Sequence, residues 1–159
     1  MGIDEIDHLK LEIPLHVVSE ANKREHWTKV SKRKSKQHML VKLWLNTHSL
    51  HFDKSLAPFR IIIQRIAPRK LDDDNLAAAL KTVRDAVCDW LVPGLAPGRA
   101  DGHENIRWIK IGQKSGGKKH YAVEVEICAK TYEKPARFAS LDEVYMYLAM
   151  HPEMLLEGF

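Results

Sequence analysis

Apolar and polar positions alternate with different periods along this chain, and each period predicts a different element. Leu11, Ile13, Leu15 and Val17 alternate with Glu12, Pro14 and His16, the two-residue repeat of a strand over 11–18. Pro14 assigns that strand to a sheet edge or a bulge. Ser19 to Trp27 is polar and reads as a loop; from about Thr28 to Leu50 runs a helix, basic at first and then amphipathic through Leu40, Leu43, Trp44 and Thr47. Phe59 to Ala67 is a β-rich apolar run suited to a central strand, and it stops at Pro68. Leu76, Leu80, Val83, Val87 and Leu91 recur at helical spacing and predict the strongest helix, over 75–91. Pro93, Gly94, Pro97 and Gly98 then break the chain. Strands follow at about Ile106–Ile111 and Tyr121–Cys128, with Gly116 and Gly117 between Lys114, Lys118 and Lys119 as a hairpin turn with a basic tip. Ser140 and Glu143 form a capping box that opens a short helix reaching about Met150. The order β, α, β, α, β, β, α predicts an α+β fold, a small mixed sheet of about four strands with helices packed on it. Lys130–Ala139 reads as a linker, dividing the chain into a domain over 1–130 and a C-terminal helical appendage over 131–159.

Composition narrows the class. With 159 residues, 45% of them hydrophobic and 29% charged, the chain suits one globular domain with its own core. No apolar stretch approaches the ~20 residues of a membrane span, and Met1 to Leu11 carries acids where a signal peptide would carry a basic and then an apolar region. Cys88 and Cys128 show no metal-ligand spacing and fit a reducing cytoplasm as small core residues. The net charge of +4 hides an asymmetry: from Thr131 onward two basic side chains stand against five acidic ones, a balance of −3, which leaves +7 on the first 130 residues. Much of the excess lies in Lys23, Arg24, Lys29, Lys32, Arg33, Lys34 and Lys36, a distribution suited to a polyanion, while a Lys run alone is also a solvated helix face.

The candidate chemistry sits at Asp72, Asp73 and Asp74, which run straight into Asn75 and the strongest helix. Crowded carboxylates repel one another, and a hard divalent cation with oxygen ligands relieves the repulsion; an acidic turn that caps a helix is the plainer explanation. If the extended segment continues through the aspartates, Asp72 and Asp74 point the same way and can share a cation, leaving Asp73 as a cap or a solvated residue. On the helix, Asp74, Ala78, Lys81 and Asp85 share a stripe opposite the core stripe. Lys81 can lean back toward the acidic end, or pair with Asp85 on the surface. Asp101, in the loop Arg99–Glu104, is a further carboxylate that chain reversal could return to the same edge, with His103 and Glu104 beside it.

This pattern resembles the RusA family of Holliday-junction resolvases, endonucleases associated with phages and prophages. The resemblance spans roughly residues 11–128 and rests on Asp72, Asp74, Asn75 and Leu76, then Lys81 and Asp85, then Asp101. Two departures stand out: Lys81 lies three residues farther along the helix than the family's lysine, and Ala100 replaces the first of a doubled aspartate. The resemblance implies a homodimeric, Mg²⁺-dependent endonuclease (Mn²⁺ could substitute) that nicks paired strands at a four-way DNA junction in recombination and repair, in the cytoplasm of a bacterial or phage-infected cell. It implies Asp72, Asp74 and Asp101 as metal ligands and, with Lys81, as the catalytic set. Lys23, Arg24, Lys29, Lys32, Arg33, Arg69 and Lys70 are then phosphate contacts. The rival expectations are a non-catalytic DNA-binding accessory protein of the same fold and an Asp-x-Asp nucleotide-sugar transferase; a phosphatase with an Asp nucleophile fits less well, because Asn75–Leu76 stands where a short Thr or Val belongs.

Overall fold

A computed structural model describes residues 6–19, 24–129, 145–146 and 149–150. Among these residues four strands and two long helices follow one another as β1 (His8–Ile13), α1 (Trp27–His48), β2 (Phe59–Ala67), α2 (Asp73–Leu91), β3 (Ile106–Ser115) and β4 (Ala122–Ala129). The strands form one mixed sheet in the order β1-β4-β2-β3. β2 runs parallel to β3 and antiparallel to β4, and β1 runs antiparallel to β4. The α+β class, the four-strand mixed sheet and the packed helices expected from the sequence are all present.

The register explains why one face of the sheet is buried. Leu9, Ile127, Ile61 and Ile109 line up across the four strands, and Leu11, Val125, Ile63 and Ile111 form the next row. Both rows belong to the apolar core. Strand side chains alternate between faces, so the intervening rows, His8–Cys128–Arg60–Trp108 and Lys10–Glu126–Ile62–Lys110, occupy the other face, which is polar and partly exposed. The covering layer is the two helices: α2 contributes Leu76, Leu80, Val83 and Val87, and α1 contributes Val41 and Leu45. Each of these fully enclosed side chains stabilises the fold by about 1.5–3 kcal/mol relative to an exposed one.

Three expectations about elements are corrected. The first strand runs over 8–13 rather than 11–18, because its partner β4 begins at Ala122 and the last pair is Ile13 with Val123. Leu15 and Val17 continue the buried alternation outside any ladder, beyond a tight turn at Pro14 in which the Leu15 N–H donates to the Ile13 carbonyl at 2.8 Å. The third strand reaches Ser115, four residues farther than its apolar pattern, because β2 offers a partner as far as Ala67. The expected hairpin at Gly116–Gly117 is instead a connection that crosses the end of β2, since β2 lies between β3 and β4. Gly116 is required there: a Cβ on it would come 2.5 Å from Ile66 Cγ2 and 2.9 Å from the His120 carbonyl. Gly117 adopts φ 74°, a conformation that costs glycine nothing.

Among the described residues no helix is long and apolar enough to cross a membrane. The tryptophans divide between roles: Trp90 is buried, Trp44 packs against the core, and Trp27 and Trp108 are exposed. Lys23, the linker 130–139 and the Ser140–Glu143 capping box lie outside the described residues. Of the expected appendage only 145–146 and 149–150 are described; they are helical and exposed.

Candidate active site and nucleic-acid face

The third row on the covered face is Ile13, Val123, Arg65 and Gln113, so the apolar layering turns polar near the end of the sheet where α2 begins. Arg65 is buried in phase with Phe59, Ile61 and Ile63. Its Nη1 donates to the Arg69 carbonyl at 2.8 Å and its Nε to the Val17 carbonyl at 3.4 Å. Burial lowers the Arg65 pKa, and the nearby Tyr121 opposes that shift; a guanidinium stays charged regardless. Gln113 clasps the same connection: Nε2 donates to the Leu71 carbonyl at 2.7 Å and Oε1 accepts from the Leu71 N–H at 3.0 Å. The chain from Arg69 to Leu71 is thus fixed from two sides just before the aspartates.

At the start of α2 the plainer role of the acidic run is realised. Asp72 is the N-cap; its Oδ1 accepts from the Asn75 N–H at 2.9 Å and its Oδ2 from Asn75 Nδ2 at 2.8 Å. Ser19 Oγ donates to Asn75 Oδ1 at 3.1 Å, which ties the 14–19 segment to the cap. Asp73 and Asp74 are already helical, and all three carboxylates are exposed. The two-residue alternation expected to align Asp72 with Asp74 therefore does not apply; within the helix successive residues turn by about 100°. The positive end of the helix dipole offsets part of the mutual repulsion.

Farther along α2, Lys81 Nζ donates to Asp85 Oδ2 at 2.9 Å. It points along the helix toward Asp85 and not back toward Asp74, because the i,i+4 partner is within immediate reach. Asp101, in the short turn Ala100–Gly102, accepts from Arg84 Nη2 at 3.0 Å. Arg84 is twelve residues beyond Asp72, about 18 Å of axial rise, and an arginine side chain spans only part of that distance. The structure brings Asp72 and Asp74 to one helix terminus and leaves Asp101 apart from them. Among the described residues no three His, Cys, Asp or Glu side chains stand close enough to hold a metal together. What the helix terminus offers a metal is a pair of exposed carboxylates, a set that suits Mg²⁺ when a substrate phosphate and waters complete the shell.

The expected phosphate contacts separate into two groups. Arg69 and Lys70 are exposed on the clamped connection next to the aspartates. Lys29, Lys32 and Arg33 lie on the first half of α1, where with Leu15, His16, Lys36, Gln37 and Leu40 they line a groove of about 420 Å³. Arg33 is held there by Glu25, at 2.7 Å to either carboxylate oxygen, and Arg24 is exposed just before the helix. A second groove, about 460 Å³, lies between the helices and is lined by Lys34, His38, Lys81 and Asp85 among others. Beside it the buried Asp89 accepts from His38 Nε2 at 2.8 Å and from the Gly98 N–H at 3.1 Å, tying α1 and the 97–98 turn to α2.

Sequence reasoning missed Arg65, Gln113 and Ser19. Arg65 carried a signal: it is a charged residue in two-residue phase with Phe59, Ile61 and Ile63. Gln113 and Ser19 carried none, because each acts on a residue more than forty positions away. The chain matches no protein-family model and no curated protein.

Proposed function

We propose that the chain is a Mg²⁺-dependent, structure-specific endonuclease of the RusA kind, a homodimer that nicks paired strands of a four-way DNA junction. One observation carries this reading: an exposed carboxylate pair, Asp72 and Asp74, adjoins two exposed cations, Arg69 and Lys70, on a connection held rigid by Arg65 and Gln113. Rigid presentation of oppositely charged groups is what phosphate cleavage demands, since the cations seat the backbone and the carboxylates face the scissile group. Asp72 and Asp74 would hold the metal, and Asn75 fixes the Asp72 carboxylate. A bound Mg²⁺ supplies positive charge at the phosphate and acidifies a water. Asp101, paired with Arg84 in its own chain, would serve the site of the second copy, and Lys81 would neutralise phosphate once drawn from Asp85.

A purified sample with a labelled synthetic junction and Mg²⁺ should give paired nicks that EDTA abolishes. A second reading, DNA binding without cleavage, is favoured by the Arg84–Asp101 pair, which occupies the third carboxylate. It requires the junction to be retarded in a gel and never cut, whichever divalent cation is added.

A further inference from the structure

The groove along the first half of α1 carries more than cations. Its floor is apolar, with Leu15 buried and Leu40 half-buried, and one wall is His16. The His16 ring stacks on the Tyr121 ring with centroids 3.8 Å apart and planes inclined by 26°. Both residues are exposed, Tyr121 at 38%. Lys29, Lys32 and Lys36 also line the groove, and all three are exposed. Its volume of about 420 Å³ falls within the ~300–1,000 Å³ of clefts that enclose small ligands.

Position ties this groove to the aspartates. His16 lies three residues before Ser19, whose hydroxyl bonds Asn75, and Asn75 is the residue held by Asp72. Tyr121 directly precedes Ala122, which pairs with Ile66 at the end of β2 that leads to the aspartates. An aromatic stack beside a row of lysines is the chemistry that recognises a single nucleic-acid strand: rings take the bases and ammonium groups take the phosphates. A solvated lysine face alone would need neither the apolar floor nor the paired rings.

We infer that the His16–Tyr121 stack and the lysine-lined groove form a binding site for an unpaired DNA strand, with one base laid on the stacked rings and its flanking phosphates on Lys29, Lys32 and Lys36. The inference rests on the nuclease reading for its choice of DNA. A four-way junction supplies such a strand when base pairs at its branch point open.

The test measures binding without metal, so that it is independent of cleavage. The probe is a fluorescent oligothymidylate of about ten nucleotides, a span one small domain covers, compared with an abasic strand of equal length and charge and with heparin. The wild-type chain should bind the base-bearing strand about tenfold more tightly than the abasic one. Tyr121→Leu and His16→Ala should each abolish that preference, and Tyr121→Phe should retain it. Replacing Lys29, Lys32 and Lys36 with Gln should weaken both strands and reduce the salt dependence of affinity by about two logarithmic units per decade of salt. Equal affinity for the abasic strand, or affinity for heparin matching that for DNA, would overturn the site; neither touches the cleavage result. Loss of nicking with the base preference intact would overturn the nuclease reading alone.

Discussion

The observed cap role of Asp72 and its proposed metal-binding role are separated by different substitutions. As the N-cap it satisfies a free backbone N–H, and Asn at that position caps about as well as Asp. Asp72→Asn keeps the cap bond and gives up only the exposed Asn75 Nδ2 bond, so it should melt close to the wild-type temperature, while Asp72→Ala should lose about 1 kcal/mol, seen as a melting point lower by roughly 2–4 °C. If the carboxylate also serves catalysis, Asp72→Asn should lower junction nicking about 100-fold or more and leave gel retardation unchanged; nicking at the wild-type rate would reduce Asp72 to a cap. Arg65 makes the complementary case of a residue invisible to the substrate. Arg65→Met removes donors from the Val17 and Arg69 carbonyls inside the fold and should cost about 2 kcal/mol in a denaturant titration. An unchanged midpoint would show that the connection holds its shape unaided. The contrast also explains what could be read at this scale in advance. Three adjacent aspartates before a helix announce themselves by repulsion, whereas Gln113 lies beyond the expected end of its strand and shows no signal until the fold brings Leu71 against it.

Elements were legible where one residue set decides them. β2 follows from a β-rich run and α2 from an apolar stripe at helical spacing, and β2 spans the same residues that its run marks, Phe59–Ala67. Boundaries decided by a partner strand were not legible: β1 stops where β4 begins, and β3 extends because β2 does. Strand order was the hardest, since two strands joined through Gly116 and Gly117 look adjacent in sequence and are separated in space by β2. That crossing yields its own prediction. Gly116→Ala drives a methyl group into Ile66 and the His120 carbonyl, and should cost about 1–3 kcal/mol as overpacking does. Adding Ile66→Ala should relieve part of that cost, giving a double mutant more stable than the sum of the single effects. Strict additivity in a double-mutant cycle would mean that the connection moves aside freely.

At the scale of the whole molecule the proposed dimer gives Asp101 a site to join. One chain presents Asp72 and Asp74 at the beginning of α2 and holds Asp101 beside Arg84, many ångströms along the helix. A two-fold dimer repeats every group, so a site built from both copies joins Asp74 of one to Asp101 of the other, twice. Mixing two inactive variants distinguishes the arrangements. Asp74→Asn spares the cap, and Asp101→Asn removes only a partly exposed ion pair worth about 0–1 kcal/mol, so both variants should fold. Co-refolded in equal amounts, they pair at random. In each mixed dimer of the shared arrangement, one site then carries both substitutions and the other carries neither. Nicking should return to roughly one quarter of the wild-type number of intact sites, and the products should be single nicks rather than paired ones. If each site lies within one chain, every site carries a substitution and mixing restores nothing. Sedimentation of the same samples supplies the control, because a monomer at assay concentration would exclude the shared site whatever the kinetics.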